Sequence, residues 1–264
     1  MSRPTRLGVV GYLNARPLTW ALARMPERWE IRYALPSVCA RLLHAGDVDL
    51  GLIPSIEYLH AADYPLVPGI GVVSHGAVAS VALFTRVPVD RIRRMAVDNS
   101  SRTSAALVQI LCRHRFGIDP EYLPHEPRLD VMARVADAGL LIGDPALEAD
   151  YASLGLQKID LGVEWTAMTG LPFVYAAWTG RCGAVDSEGV RLLRVARREG
   201  ARATDAIAAE YGRGDAAATQ RAAVYLRDNV TYDLGPDEVA GLQLFLDHAA
   251  TLDLAPRKRR LEFF

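Results

Sequence analysis

The sequence predicts an α/β protein of two lobes with a cleft between them and a helical C-terminal segment. Three observations support this fold class. Short apolar segments alternate with helical segments over residues 1–60, and a second alternating set begins after Pro88. From residue 187 onward, apolar residues recur only at helical spacing. Alternation of the first kind is typical of a parallel sheet that is covered by helices.

The first alternating set contains apolar, β-branched segments that are typical of buried strands. Its predicted strands are residues 7–13, 29–34 and 49–53. Its predicted helices are residues 18–25, 38–44 and 54–59. Asn14 and Ser37 are the candidate N-caps of the first two helices, and Pro17 lies in the first turn of the first one. Two extended segments follow, at residues 66–73 and 77–85.

The second alternating set leads into the helical part of the chain. Its predicted strands are residues 95–98, 122–125, 140–143, 158–161 and 173–178. Its predicted helices are residues 101–114 and 129–135, with a further turn from Asp144. The final helices are predicted at residues 187–200, 203–211, 216–229 and 236–250.

This order of elements predicts where the lobes divide. We expect lobe I to contain residues 1–84 plus 177–264, and lobe II to contain residues 85–176. Two strands, near Phe84 and near Ala177, would then cross between the lobes and form a hinge, with a ligand in the cleft. One continuous doubly wound sheet is the alternative arrangement.

Composition excludes several classes of function. The formal net charge of the 264 residues is −1, so we expect no nucleic acid partner. No apolar stretch of about 18 residues predicts a membrane span. The three cysteines show no CxxC spacing, and the N-terminal residues lack the pattern of a signal peptide, so we expect a cytoplasmic protein. No HxH, HxxxH, GxGxxG or GxSxG pattern occurs, so we expect neither a metal nor another cofactor.

Polar residues follow several predicted strands, where a parallel sheet presents its carboxyl edge. Asn14 is placed both to cap a helix and to face the cleft, and Ser55 opens a helix directly after a buried strand. Ser80 is a polar residue inside an apolar segment, so its hydroxyl needs either a backbone carbonyl or a ligand as partner. Gly143 would let the backbone approach a ligand, and Asp144 is suited equally to a ligand and to a helix cap.

The most specific polar segment is residues 98–104, which reads DNSSRTS and leads from a strand into a helix. Free backbone N–H groups and the positive end of the helix dipole would converge here with several side chains, and together they predict an anion site. The candidate binding residues in it are Ser101, Arg102, Thr103 and Ser104. A capped surface helix without a ligand is the alternative.

Five segments, in the same order along the chain, resemble the chorismate dehydratases of the futalosine route to menaquinone. They are residues 11–18, 49–55, 98–104, 142–146 and 165–173. The resemblance implies the fold of type II periplasmic binding proteins. It also implies a cofactor-free conversion of chorismate to 3-[(1-carboxyvinyl)oxy]benzoate and water. Thr169, in the last segment, joins the candidate substrate-binding residues.

The resemblance also implies a mechanism and leaves alternative functions open. A dicarboxylate would lie between Asn14, the expected catalytic residue of lobe I, and the anion site of lobe II. The base that removes the proton is either the substrate's own carboxylate or a protein group. A sibling enzyme that makes 1,4-dihydroxy-6-naphthoate carries a catalytic histidine where this chain has Gly143 and Asp144, which favours the dehydratase. That sibling activity and a non-catalytic cytosolic protein that binds an anionic metabolite are the alternatives. A homodimer is left open.

Overall fold

The computed structural model describes residues 3–60, 63–256 and 259–264, and two five-stranded sheets frame this part of the chain. The strands of the first sheet, in spatial order, are β2 (Trp29–Ala34), β1 (Thr5–Val10), β3 (Leu50–Pro54), β10 (Phe173–Gly180) and β4 (Leu66–Ser74). Every residue of the central strand β3 is buried, as expected for a strand that is covered on both faces. We call this sheet and the helices that cover it lobe I.

The predicted parallel pairing holds for the first three strands, because β1 is parallel to both β2 and β3. The fourth strand differs, since β10 is antiparallel to β3 and to β4. The chain has left lobe I by then and re-enters the sheet from its opposite end. The sheet is therefore mixed rather than all parallel.

The second sheet has the same number of strands and the same mixed character, and we call it and its helices lobe II. Its strands, in spatial order, are β7 (Glu121–His125), β6 (Arg94–Asp98), β8 (Ala138–Ile142), β5 (Val81–Thr85) and β9 (Gln157–Asp160). The strand β6 is parallel to β7 and β8, and β5 is antiparallel to β8 and β9. Each sheet thus contains one strand that directly follows a crossing from the other lobe, which is β10 in the first sheet and β5 in the second.

The chain crosses between the sheets several residues earlier than predicted. Phe84 lies inside β5 and Ala177 inside β10, so neither is a crossing point. The first crossing is residues 75–80, and the second begins with the helix α6 (Leu161–Thr169). Because the Asp160 carboxylate accepts hydrogen bonds from the N–H groups of Val78 (3.1 Å) and Ala79 (2.6 Å), the two crossings are fixed side by side. The lobes, as the two sheets define them, therefore divide before β5 and before β10 rather than at residues 84 and 177.

The helices of the two alternating sets cover the sheets. They are α1 (Arg16–Thr19), α2 (Pro36–Ala45), α3 (Thr103–Leu111), α4 (Leu129–Val135), α5 (Gly143–Leu147) and α6. The predicted helix 18–25 is replaced by α1 and a separate 3₁₀ turn at Leu22–Arg24. Ser37 does not cap α2, because Pro36 already begins the helix and the N-cap position is Leu35.

Four helices end the chain, close to the predicted bounds. They are α7 (Ser187–Arg202), α8 (Thr204–Gly212), α9 (Ala216–Asp228) and α10 (Pro236–Thr251). The helix α7 packs against α1, and α10 packs against both β10 of lobe I and α3 of lobe II. The C-terminal helices therefore contact both lobes.

The largest hydrophobic cluster continues from one lobe into the other. It includes Leu7 and Leu52 of the first sheet together with Leu83, Met95 and Leu140 of the second. A smaller cluster lies between the other face of the second sheet and α4. Burial of a continuous apolar core stabilises the two lobes as one unit.

Candidate active site

A cavity lies between the lobes, at the carboxyl ends of β1 and β3 on one side and of β6 and β8 on the other. About 510 Å³ of space free of protein atoms lies within it, including the part that is open to solvent. Asn14 and Pro54 contribute to its lobe I wall, and Gly143 and residues 101–104 contribute to its lobe II wall. Carboxyl edges of open α/β sheets are the usual place for a ligand, because backbone donors and short polar side chains stay free there.

Asn14 lies in a 3₁₀ turn (Leu13–Ala15) directly after β1, and it is half-buried in the cavity wall. Its predicted role as a helix cap is wrong, since the N-cap position of α1 is Ala15 and no side chain caps that helix. The Asn14 amide instead lies beside the hydroxyl of Tyr225, within reach of a hydrogen bond. Asn14 is therefore next to another polar side chain at the edge of the cavity.

Residues 101–104 lead into α3, and all four line the cavity. Ser101, Thr103 and Ser104 are buried, whereas Arg102 is exposed. The Ser101 hydroxyl accepts a hydrogen bond from the backbone N–H of Ala105 at 3.2 Å. The first N–H groups of a helix have no intrahelical acceptor, and the helix dipole adds positive potential at that end. This wall can therefore hold an anionic group.

A fully buried carboxyl group shapes the loop before α3. Asp98 ends β6, and its Oδ1 accepts hydrogen bonds from the backbone N–H (2.8 Å) and the hydroxyl (2.7 Å) of Ser100. Burial raises the pKa of Asp98, although the bonds from Ser100 oppose that change. These bonds fix the turn that directs the start of α3 toward the cavity.

The Thr103 hydroxyl joins the two lobes. It accepts a hydrogen bond from the backbone N–H of Ile56 at 3.2 Å and lies 3.3 Å from the Ser55 hydroxyl. The Ser55 hydroxyl donates its own proton to the carbonyl of Val174 at 2.7 Å. Ser55 is buried behind the wall rather than in it, so the structure does not bring this predicted residue into the cavity.

Arg102 gives the cavity wall a positive charge. Its side chain is 52% exposed, and its Nε lies 3.7 Å from Oε1 of the buried Glu57. The other oxygen of Glu57 is 3.0 Å from Nε2 of His44. Burial raises the pKa of Glu57, but the His44 bond and the nearby cations outweigh it, so the pKa lies below its ordinary value. An ionised Glu57 therefore forms an ion pair with one side of the guanidinium.

Gly143 lies in the cavity wall with a φ of +60°, a conformation that favours glycine. The ring of Tyr12, from lobe I, packs directly on it: a Cβ at position 143 would lie 2.3 Å from a ring carbon. The Tyr12 hydroxyl interacts with Ser100 of lobe II. Tyr12 therefore bridges the cleft at one end of the cavity.

Asp144 makes a second bridge beside the first. Its Oδ1 accepts a hydrogen bond from the backbone N–H of Leu13 at 2.9 Å. It does not cap α5, whose N-cap position is Ile142, and it is not part of the cavity wall. Burial raises its pKa to about 6, although the Leu13 bond lowers it. The predicted choice between ligand and cap is thus replaced by a contact between lobes.

Two further predicted residues lie outside the cavity wall. Ser80 is 1% exposed, and its hydroxyl is 2.7 Å from that of Tyr225. The Thr169 hydroxyl donates to the carbonyl of Trp165 (2.9 Å) and accepts from the N–H of Leu171 (3.1 Å), so it closes the last turn of α6. Neither hydroxyl is placed to contact a ligand in the cavity.

Sequence reasoning missed two tyrosines of the wall, Tyr12 and Tyr175. The Tyr175 hydroxyl is 2.9 Å from that of Ser74, and burial raises the pKa of Tyr175 well above its ordinary value. The position of Tyr12, two residues before Asn14 at the end of a predicted strand, could have identified it. Tyr175 lies within a predicted strand and has the pattern of a core residue.

Residues 3–60, 63–256 and 259–264 contain neither a cluster of metal ligands nor a helix that could span a membrane. No group of three or more His, Cys, Asp or Glu side chains in these ranges could hold a metal ion. Within the same ranges, no helix has the length and apolar character needed to cross a membrane.

Solved structures share the fold of this chain. A protein from Archaeoglobus fulgidus superposes with a TM-score of 0.75 at 19% identity, covering 96% of this chain and 99% of its own. The periplasmic aliphatic sulphonate binding protein SsuA of Escherichia coli gives a TM-score of 0.71 at 18% identity, covering 98% and 95%. The predicted periplasmic-binding-protein fold is therefore confirmed.

Sequence relatives narrow the identity further. The chorismate dehydratase of Thermus thermophilus is 35% identical over 216 residues, which are 75% of this chain and 78% of the relative. The chorismate dehydratase of Campylobacter jejuni is 28% identical over 178 residues, covering 65% and 66%. The family described as menaquinone biosynthesis matches residues 5–251. Since that match spans nearly the whole chain, this protein belongs to the menaquinone biosynthesis family.

Proposed function

We propose that this protein is a chorismate dehydratase, a hydro-lyase that converts chorismate to 3-[(1-carboxyvinyl)oxy]benzoate and water in menaquinone biosynthesis. The observation that carries the proposal is that Asn14 and residues 101–104 line one cavity between the lobes. The 35% identity to the chorismate dehydratase of Thermus thermophilus supports it. The enzyme would need no cofactor, since the reaction is an elimination of water without a change in overall oxidation state.

The cavity matches the charge of a dicarboxylate. One carboxylate would accept hydrogen bonds from the first N–H groups of α3 and from the hydroxyls of Ser101 and Ser104. The guanidinium of Arg102 is at the same wall and can pair with a carboxylate in two parallel hydrogen bonds. The opposite wall offers the amide of Asn14 to the other end of the substrate.

The chemistry follows from where charge develops. Removal of the ring C3 proton places negative charge that can delocalise through the diene into the ring carboxylate. Donors aimed at that carboxylate then stabilise the transition state more than the ground state. Loss of the C4 hydroxyl follows, and formation of the aromatic ring makes the step favourable.

The substrate's own enolpyruvyl carboxylate is our candidate for the base. It is close to C3 within the same molecule, so the protein's task is to orient it. Asn14 would hydrogen-bond either this carboxylate or the departing hydroxyl. Asp144 already accepts a hydrogen bond from the N–H of Leu13 and lies outside the cavity wall, so it is a poorer candidate.

The activity is tested with purified, metal-free protein and chorismate. We expect an aromatic product with the mass of chorismate less one water, detected by absorbance and by mass spectrometry. Stoichiometric binding of chorismate without product would instead indicate a non-catalytic binding protein. Turnover of the cyclic futalosine derivative, and not of chorismate, would indicate the naphthoate synthase activity.

The role of Asn14 is tested by Asn14→Ala. We expect kcat to fall by about 10²–10³, the usual cost of losing one donor to a developing charge. Asn99→Ala is the matched control, because Asn99 is exposed and lies outside the cavity wall. Unchanged turnover in Asn14→Ala, with Asn99→Ala also unchanged, would remove Asn14 from the mechanism.

The partners and the location follow from this function. We infer that the protein's partner is its small-molecule substrate, without nucleic acid or membrane, and that it acts in the cytoplasm where chorismate is a metabolite. Cell fractionation tests the location, and analytical ultracentrifugation tests whether the chain forms the homodimer that the sequence leaves open.

A further inference from the structure

Tyr225 is a buried tyrosine whose hydroxyl lies between the two lobes. It belongs to α9, a helix of the C-terminal segment, and only 2% of it is exposed. Its hydroxyl is 2.7 Å from the hydroxyl of Ser80. A phenol hydroxyl has one proton to donate and can accept as well, so it can bond to two groups at once.

Ser80 is a firmly held partner for this phenol. Its carbonyl accepts a hydrogen bond from the N–H of Gly143 at 2.7 Å, beside the cavity. The preceding residue, Ala79, has a φ of +60°, and its N–H is bound by the Asp160 carboxylate at 2.6 Å. Because its backbone is fixed on both sides, Ser80 fixes the position of the Tyr225 hydroxyl.

The Asn14 side chain lies beside the same hydroxyl. The helix α9 packs against the 3₁₀ turn Leu13–Ala15, which brings the Asn14 amide within reach of a hydrogen bond to the Tyr225 hydroxyl. An asparagine amide at the edge of a cavity has two rotatable side-chain bonds and otherwise samples several orientations. A hydrogen bond to the Tyr225 hydroxyl would restrict the orientation of Asn14.

We propose that Tyr225 is a positioning residue, whose hydroxyl, anchored by Ser80, orients the Asn14 amide for the reaction in the cavity. The inference rests on the proposed dehydratase function, in which Asn14 acts on the substrate. Ser80 thus acts through Tyr225 and Asn14, although the sequence predicted that it would touch the ligand itself. A misplacement of a catalytic group by about 1 Å can lower a rate by about 10².

Tyr225→Phe tests the proposal, because it removes the hydroxyl and keeps the ring. We expect kcat for chorismate to fall at least about tenfold while KM stays within about twofold. The chain offers a matched control in Tyr232→Phe. Tyr232 is also buried, and its hydroxyl has no hydrogen-bond partner among the described residues. We expect Tyr232→Phe to keep the wild-type kcat.

A spectroscopic measurement follows Asn14 directly. The chain has three asparagines and four glutamines, so the side-chain amide region of a ¹⁵N NMR spectrum is simple. The Asn14 signals are identified by their loss in Asn14→Ala. We expect Tyr225→Phe to shift these signals and Tyr232→Phe to leave them in place. Ser80→Ala leaves the phenol intact but removes its anchor, and we expect the same change in kcat and in the NMR signals.

Several results would overturn the proposal. These are a kcat within about twofold of wild type in Tyr225→Phe, unshifted Asn14 signals, or an equal loss of kcat in Tyr232→Phe. If Tyr225→Phe does not fold, Ser80→Ala is judged by the same criteria. A wild-type protein that does not turn over chorismate would contradict the proposed function, whereas the NMR comparison would still decide whether Tyr225 orients Asn14.

Discussion

The close contact between Gly143 and Tyr12 makes a specific prediction about the cleft. Alanine at position 143 would adopt a left-handed φ, at a cost of about 1–2 kcal/mol, and its Cβ would also overlap the Tyr12 ring. We expect Gly143→Ala to lower the free energy of unfolding by more than this backbone cost. We also expect a higher KM for chorismate, because Tyr12 can no longer bridge the lobes beside the cavity.

Gly155→Ala is the control for that experiment. Gly155 has a φ of +66°, but nothing lies within 4 Å of the position its Cβ would take. Its substitution should therefore carry only the backbone cost and leave KM unchanged. Equal losses in the two variants, measured by urea denaturation, would show that the contact with Tyr12 has no energetic consequence.

The Asp144 carboxyl predicts a dependence of stability on pH. Burial raises its pKa to about 6, above the value of about 3.9 for an unfolded chain. The native state therefore binds this proton more tightly, so the contribution to stability is present below about pH 4 and is lost as pH rises through about 6. Asp144→Asn keeps an oxygen for the Leu13 N–H but cannot ionise.

We expect Asp144→Asn to gain stability relative to wild type as the pH rises from about 4 to about 7.5. The upper bound on the gain is about 3 kcal/mol, and the partial exposure of the residue reduces it. Urea denaturation of both proteins across this range measures it. Curves of stability against pH that run parallel would contradict a raised pKa at Asp144.

At the scale of residues, the sequence located the site better than it assigned hydrogen-bond partners. Asn14 and Gly143 were predicted from their positions after strands, and both line the cavity. Ser55 follows the same rule, and Ser80 was predicted as a polar residue inside an apolar segment. The hydroxyls of both bond to protein groups that only the folded chain brings near. Tyr225 could not be found, because a tyrosine in an amphipathic helix has the pattern of a core residue.

At the scale of elements, the hydroxyl of Thr103 ties the front of α3 to lobe I. Thr103→Val has nearly the same shape but leaves the buried N–H of Ile56 without its acceptor. We expect a loss of about 1–3 kcal/mol in the free energy of unfolding, the usual cost of an unsatisfied buried group. Thr103→Ser keeps the hydroxyl and serves as the control.

The same pair of variants tests whether this contact supports the site. We expect the KM for chorismate to rise in Thr103→Val and to change little in Thr103→Ser, because residues 101–104 line the cavity. Valine and serine variants with equal KM values would show that the hydroxyl supports stability without affecting the substrate.

Long elements with a clear period were the most predictable. The four C-terminal helices match their predicted bounds closely, because their apolar residues repeat at helical spacing, and β2 also has its predicted bounds. The region 18–25 was predicted as one helix but forms two short pieces, since its apolar run is too short to distinguish a helix from a turn. The helix α6 was not predicted, because its segment carried no helical period.

At the scale of the whole molecule, alternation of strands and helices predicts two lobes but not how the chain enters each sheet. The strands β5 and β10 follow crossings, and both are antiparallel to their neighbours. Their direction depends on the side from which the chain returns, which is a long-range property. The crossing points also depend on the Asp160 bonds to Val78 and Ala79, which join segments about 80 residues apart.

The continuous core predicts that the lobes unfold together. Residues of both sheets belong to one cluster, so neither lobe can expose its inner face without opening the core of the other. We expect one cooperative transition in urea, with coincident curves from far-UV circular dichroism and tryptophan fluorescence. Hydrogen exchange reports on each region separately. We expect the amides of β3 and of β8 to exchange through an opening of the same free energy.

The smaller cluster under α4 provides an internal control for the hydrogen-exchange experiment. Leu129 and Met132 of α4 pack in that cluster rather than in the shared core, so peptides from α4 can exchange through a local opening of lower free energy. A lower opening free energy in β8 than in β3 would mean that lobe II unfolds alone. In that case the bridges at Tyr12, Thr103 and Asp144, rather than a shared core, would hold the lobes together around the cavity.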